Sequence, residues 1–175
     1  PDNELRGPPN AAHFLPHHLH CHVQKKPRVV FDTSMKSGGK SLNTEMFSGP
    51  NLLNSLSGVM LRFRQHAIAI SADLRAFYHS VDIHEDDRNY FRFLWFQDPM
   101  DFNSPIVQYR MKVHLFGGCA SQCCAIYALW TALDRAVTDG KLESSTAHEI
   151  KRSFYSDDQL PSFPTVDEAV RVLIP

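Results

Sequence analysis

The apolar positions of this chain follow two periods, and the switches between them mark its elements. "PRVVFDT", residues 27–33, is rich in β-branched and aromatic residues. It lies between a basic pair and the Gly-rich turn "SGGKS", which predicts a strand. In "PNLLNSLSGVMLRFRQH" the residues Leu53, Leu56, Met60 and Phe63 recur at helical spacing, and Pro50 suits a helix first turn. "AIAISADL" reads as a buried strand ending in Asp73. "NYFRFLWF" and "PIVQYRMKVHLF" alternate and predict a long hairpin. From about Ser121 the pattern is helical, with Ile126, Trp130, Leu133 and Val137 on one face. Thr146 and Glu149 form a capping-box pattern for a short helix, and Thr165 with Glu168 form one for the last. Between those helices, "SFYSDDQLPSF" reads as strand, turn, strand. The order is mixed α+β, with strands and helices packed on a sheet.

Composition narrows the function classes. The chain has 175 residues, 18 Lys and Arg against 19 Asp and Glu, and a net charge of −1. That length supports one domain with its own core, and the charge balance signals no nucleic-acid binding by the chain as a whole. No apolar run reaches the length of a membrane span, and the Pro-rich start "PDNELRGPPNAAHFLP" reads as an extended lead-in with no signal-peptide pattern. Three of the four cysteines crowd at Cys119, Cys123 and Cys124. This is no disulfide framework and points to a reducing, intracellular location. The last helix starts well and stops at the terminus, as expected of a fragment.

The candidate chemistry lies in the acids. Asp157 and Asp158 adjoin at a predicted hairpin tip, where like charges repel. Asp73 ends a predicted strand. If the strands are neighbours in one sheet, three carboxylates converge at its edge, and such a cluster needs a cation. Hard ions such as Mg²⁺ favour oxygen donors, and a pair of them suits in-line phosphoryl displacement. The bland alternative is a solvated turn, since Asp favours turns. Two other strings carry less. "HFLPHHLHCH" holds five His and one Cys, but in no zinc-finger spacing. "FDTS" has Ser34 where an aspartic protease has glycine, and it reads better as strand.

The neighbours of these acids resemble a known family. "FYSDDQL" resembles the Tyr-x-Asp-Asp hairpin of reverse transcriptases, "SADLRAFYHSVDI" their first acidic motif, and "VHLFGGCASQ" the Gly-containing loop leading into the palm helix. "LPHH", "RVVFDTSMKSGGKSLN", "GPNLLNSLSGVMLRFRQH", "DDRNYFRFLWF", "YRMKVHLFG" and "SFPTVDEAV" resemble, in order, strings of the BEL/Pao class of LTR retrotransposon polymerases. The resemblance covers roughly residues 14–173. It implies a right-hand polymerase palm, an antiparallel sheet backed by helices with a fingers extension and the thumb missing. Fingers would span 1–49 and 81–114, and palm 50–80 and 115–175.

The resemblance also implies roles. Asp73, Asp157 and Asp158 would be catalytic and would hold two Mg²⁺ ions, or Mn²⁺. Tyr78 would stack under the incoming sugar and bar a 2′-hydroxyl. Arg28, with Lys26 nearby, would contact the triphosphate. Phe116 and Gly117 would line the nascent base pair, and Tyr155 would lie near the primer end. Partners would be an RNA or DNA template-primer and deoxynucleoside triphosphates, with no membrane and the rest of the polyprotein absent. The chain departs from the family pattern at Gln122 (for Pro), Ser156 (for Val or Met), Gln159 and Pro161, and at Arg75, where an acid is common. Pro161 removes a ladder donor and should weaken that arm of the hairpin. The alternative is a catalytically inactive retroelement remnant that at most binds nucleic acid.

Overall fold

In the computed structural model, residues 13–23 and 25–173 are described. The first twelve residues of the expected lead-in lie outside them. Contacts along the chain group it into two units, Pro1–Ser48 with Tyr78–Ser121, and Gly49–Phe77 with Gln122–Pro175. Residues 115–121 group with the first unit, where Thr33 and Asn43 bond to the Gly117 carbonyl.

The first unit opens with a ribbon. Strand β1 (His17–His22) pairs antiparallel with β2 (Lys25–Phe31) from His17↔Phe31 to His22↔Lys25. β1 takes in most of the His-rich string, just past the stretch read as an extended lead-in. Its register shifts between His20 and His22, opposite the stretch that holds Pro27. A proline has no N–H for the ladder and is confined to edges and bulges. At the end of β2, the Asp32 carboxylate accepts bonds from Ser34 Oγ (2.6 Å), Ser34 N (2.9 Å) and Met35 N (3.0 Å). These bonds, the Ser34 hydroxyl foremost, hold its carboxyl below the usual carboxylate range. The "SGGK" turn closes as expected: Ser37 and Lys40 pair, with Gly38 at φ +59° and Gly39 at φ +83°. Two positive φ values in a row are cheap only for such residues. Helix α1 (Leu42–Glu45) follows, with Ser41 and Thr44 capping each other reciprocally.

The expected hairpin is present but shorter than read: β5 (Arg92–Phe96) pairs antiparallel with β6 (Ile106–Arg110), and Asn89 and Tyr90 belong to a 3₁₀ helix, Glu85–Tyr90. Leu15, Leu42, Ile83, Phe91 and Leu115 form the buried core of this unit, with Phe31, Met46 and Met111 packed against it. Leu15 is only 1% exposed, and its N–H donates to the Arg92 carbonyl (2.7 Å). The end of the lead-in is therefore pinned to β5.

In the second unit, helix α2 (Leu56–Phe63) begins later than expected. Ser55 is its N-cap, accepting from the Gly58 N–H, and Pro50 lies outside it. Ser is a strong N-cap, and the helix starts where the cap is. Helix α3 (Ser121–Thr138) starts at Ser121 as read. Helix α4 (Ser144–Ser153) starts with Glu143 as N-cap, so Thr146 lies within it and caps nothing. Helix α5 (Val166–Leu173) shows the Thr165 half of the expected box, with Glu168 N donating to Thr165 Oγ1 (3.3 Å). Val59, Ala125, Ile126, Ala147, Phe154, Phe163 and Ala169 are buried in this unit.

Its strands are short. β3 (Ile68–Ala69) pairs with β9 (Ser162–Phe163), and β4 (Ala72–Asp73), β8 (Asp158–Gln159) and β7 (Phe154–Tyr155) form a sheet in that order. One antiparallel register runs through both β3–β9 and β4–β8. It is interrupted at Pro161, whose carbonyl accepts from Ile70 N (3.0 Å) but which has no N–H to return. The arm beyond the hairpin is thus broken where proline predicts it. The reading of "AIAISADL" as buried is corrected: Ala69, Ala72 and Asp73 are exposed and Ile68 is half-buried. β3 and β4 are edge strands of two residues each, paired on one side only among the described residues. The whole is mixed α+β, with small antiparallel sheets and helices.

Candidate functional site

The residues singled out by sequence fall into two groups, one in each unit. In the second unit, β4 and β8 set Asp73 directly opposite Asp158. The neighbouring pair is hydrogen-bonded, with Leu74 N donating to the Asp157 carbonyl (2.9 Å). Hydrogen-bonded and non-hydrogen-bonded pairs alternate along an antiparallel ladder, so Asp73 and Asp158 form a non-hydrogen-bonded pair. In such pairs the Cα atoms stand about 4.5 Å apart and the side chains are at their closest. Asp73, 85 residues before Asp158 along the chain, thus meets the hairpin.

The β7–β8 hairpin is a two-residue turn. Tyr155 and Asp158 pair, with Ser156 and Asp157 between them. Ser156 has φ +55°, and Asp157 is not among the positive-φ residues. A positive φ at the first central position alone is the pattern of a type II′ turn, which glycine usually fills. Gln122 Nε2 lies 3.4 Å from Ser156 Oγ. Asp157 is half-buried and Asp158 exposed. Asp157 occupies the turn, where the strand alternation that aligns Asp73 with Asp158 no longer applies. Accordingly, among the described residues no three His, Cys, Asp or Glu side chains converge as a ligand cluster. Two carboxylates face one another and the third is held beside them by the backbone.

Sequence reasoning missed what anchors this hairpin. Asn54 Nδ2 donates to the carbonyls of Lys151 (2.7 Å) and Phe154 (2.8 Å), at the end of α4 and the start of β7. Arg62 Nη2 donates to the Arg152 carbonyl (2.8 Å), and Ser162 Oγ to the Arg62 carbonyl (2.5 Å). The residues just before α2 and its last turn therefore grip both arms. Such bonds carry no sequence signature beyond a polar residue beside a helix. Tyr155, half-buried, pairs across from Asp158.

The first unit holds the other group. Tyr78 begins a short 3₁₀ turn, Tyr78–Ser80, and its ring meets Phe116 edge-on at 4.7 Å and 87°. His79 meets the same ring at 5.5 Å. Gly117, at φ +87°, is exposed, as is Phe116. A side chain at that φ is strained, which makes glycine the fitting residue there. Lys26 and Arg28 are exposed on β2, with Arg28 opposite His20.

The donor chemistry of the second unit fits hard divalent cations. All three groups are carboxylates, and none is engaged in an ion pair with a described Lys, Arg or His. Oxygen donors of this kind are what Mg²⁺ and Mn²⁺ prefer. All four cysteines are free thiols. No helix among the described residues is long and apolar enough to cross a membrane. In comparisons with known proteins, no protein-family model matches the chain, and no curated protein matches it.

Proposed function

We propose that this chain is the fingers and palm of a retroelement RNA-directed DNA polymerase, of the BEL/Pao class of LTR retrotransposons. The observation that carries the reading is the register that sets Asp73 against Asp158 with Asp157 in the adjoining turn. Three of the strings that carry the resemblance contain these residues and Tyr78, Phe116 and Gly117. In this reading Asp73, Asp157 and Asp158 hold two Mg²⁺ ions, which when bound activate the primer 3′-hydroxyl and neutralise the leaving pyrophosphate. Tyr78 excludes a 2′-hydroxyl and thereby selects deoxynucleotides. Arg28 and Lys26 bind triphosphate oxygens, Phe116 and Gly117 line the nascent base pair, and Tyr155 supports the primer end. Partners are a template-primer and deoxynucleoside triphosphates, in an intracellular setting, and the second unit is the palm.

Primer extension on poly(rA)/oligo(dT) with Mg²⁺ tests the proposal. Wild type extends and Asp157→Asn does not. Extension by neither protein favours the inactive remnant, and cleavage of the nucleic acid in place of extension favours a metal-dependent nuclease.

A further inference from the structure

The "FGGC" loop of the first unit is held by two side chains to which the sequence reading gave no role. Thr33 is 2% exposed, and its Oγ1 donates to the Gly117 carbonyl at 2.7 Å. Asn43 uses both ends of its amide. Nδ2 donates to the same Gly117 carbonyl (2.9 Å), and Oδ1 accepts from the Cys119 N–H (2.9 Å). Asn43 is itself placed by its own N–H, which donates to the Thr33 carbonyl (3.1 Å), and by α1, whose Ser41–Thr44 cap is closed. Three bonds therefore converge on a loop of three residues, two of them on one carbonyl. The residue preceding that carbonyl is Phe116, whose exposed ring supports Tyr78 and His79 edge-on.

A solvent-facing aromatic ring has little of its own to hold it. Side chains with partners on every side are locked by packing, while exposed ones hop between rotamers. Here the backbone under Phe116 is fixed instead. Gly117 at φ +87° makes the bend, and Thr33 and Asn43 stop it from relaxing.

We infer that Asn43 and Thr33 are positioning residues for nucleotide selection, holding the Phe116–Cys119 loop so that Phe116 buttresses Tyr78. The inference rests on the polymerase reading for what Tyr78 does, and on the bonds alone for what Asn43 and Thr33 do. It concerns discrimination between deoxy- and ribonucleotides, which depends on how firmly the Tyr78 ring is set. A loosened ring admits the 2′-hydroxyl. Positional errors of about 1 Å at a site of this kind cost up to about a hundredfold.

The test has two arms. In the first, amide exchange and aromatic resonances are followed by NMR in wild type, Asn43→Ala, Asn43→Asp and Thr33→Val. Losing one neutral hydrogen bond should speed exchange at the Cys119 amide roughly five- to tenfold in Asn43→Ala. Asn43→Asp keeps the acceptor for that amide and loses the donor to Gly117, so it should move the Tyr78 and Phe116 resonances with less effect on Cys119. Thr33→Val keeps the side-chain shape and removes one bond, so it stays folded if Asn43→Ala does not. In the second arm, the ratio of kcat/KM for a deoxynucleotide to that for the matching ribonucleotide is measured by single-nucleotide extension. It should fall roughly fivefold or more in Asn43→Ala and Thr33→Val, while melting temperatures show the proteins folded. Unchanged Cys119 exchange and unchanged Tyr78 resonances overturn the inference, whatever the enzyme does. Loosened resonances with an unchanged ratio overturn its link to selection. A wild type that extends no primer overturns the polymerase reading, and the selection role with it, while the exchange arm still decides whether the two side chains clamp the loop.

Discussion

Replacing Asp158 by Asn should stabilise the protein without divalent cations and destabilise it, relative to wild type, with them. The first half follows from the register. Asp73 and Asp158 are cross-strand partners in a non-hydrogen-bonded pair, both exposed. At the general spacing of cross-strand partners, about 5 Å, two carboxylates repel by roughly 0.8 kcal/mol in water. Screening at ordinary ionic strength takes away about half of that. The remainder, about 0.4 kcal/mol, lies within the cost of like charges directly opposite in a sheet, about 0.2–1 kcal/mol. For a chain of this size that is a rise in Tm of about 1–2 °C in EDTA. The second half follows from linkage. An ion at about ten times its Kd stabilises the wild type by about 1.4 kcal/mol, and a variant with one carboxylate fewer loses most of that gain. The sign of the difference therefore inverts. The assay is thermal unfolding of wild type, Asp73→Asn, Asp158→Asn and the double variant, in EDTA and across a Mg²⁺ titration. In EDTA the double-variant cycle should show coupling between the two sites. A Tm difference that is the same with and without Mg²⁺ would refute the ion-binding half. Strict additivity in EDTA would refute the facing carboxylates.

Three further outcomes follow from single observations. Ser156 sits at φ +55° in the first central position of its turn, so Ser156→Gly should leave stability within about 1 kcal/mol, because the relief of a left-handed residue, about 1–2 kcal/mol, is offset by glycine's entropy; Ser156→Val should lose more than that by chemical denaturation, and equal stability of the two variants would refute the turn assignment. Leu115, 2% exposed in the core of the first unit, should cost about 3 kcal/mol as Leu115→Ala, read from urea midpoints at unchanged m-value. Burial holds the His114 imidazole below the usual histidine range. The unfolded chain then takes up the proton first, so stability from this group is present above the ordinary histidine range and is lost as pH falls toward the lower folded value; His114→Gln should flatten that part of the stability–pH curve, and an unchanged slope would refute it.

What could be read from the sequence was what neighbours in the chain decide. The 3.6 period from Ser121 becomes α3, because a helix closes its own hydrogen bonds and needs only a face to bury. The Gly pair at 38–39 makes its turn because φ is a local matter. Pro161 breaks its ladder because the missing N–H is a property of one residue. The mixed α+β class follows from the order of such elements.

What could not be read was what distant residues decide. β1 has no strand pattern of its own, and it is a strand because β2 supplies partners for its backbone. The apolar run Ala67–Ile70 reads as buried, yet its exposure depends on which strands and helices lie beside it. Asn43, Thr33 and Asn54 are unremarkable as letters, and their bonds reach carbonyls 74 to 100 residues away. The three acids were legible as a motif, but only strand pairing sets Asp73 against Asp158 and leaves Asp157 in the turn. Periodicity and caps act over one or two turns of chain, whereas register is fixed by side chains and backbone groups that meet only once the chain has folded.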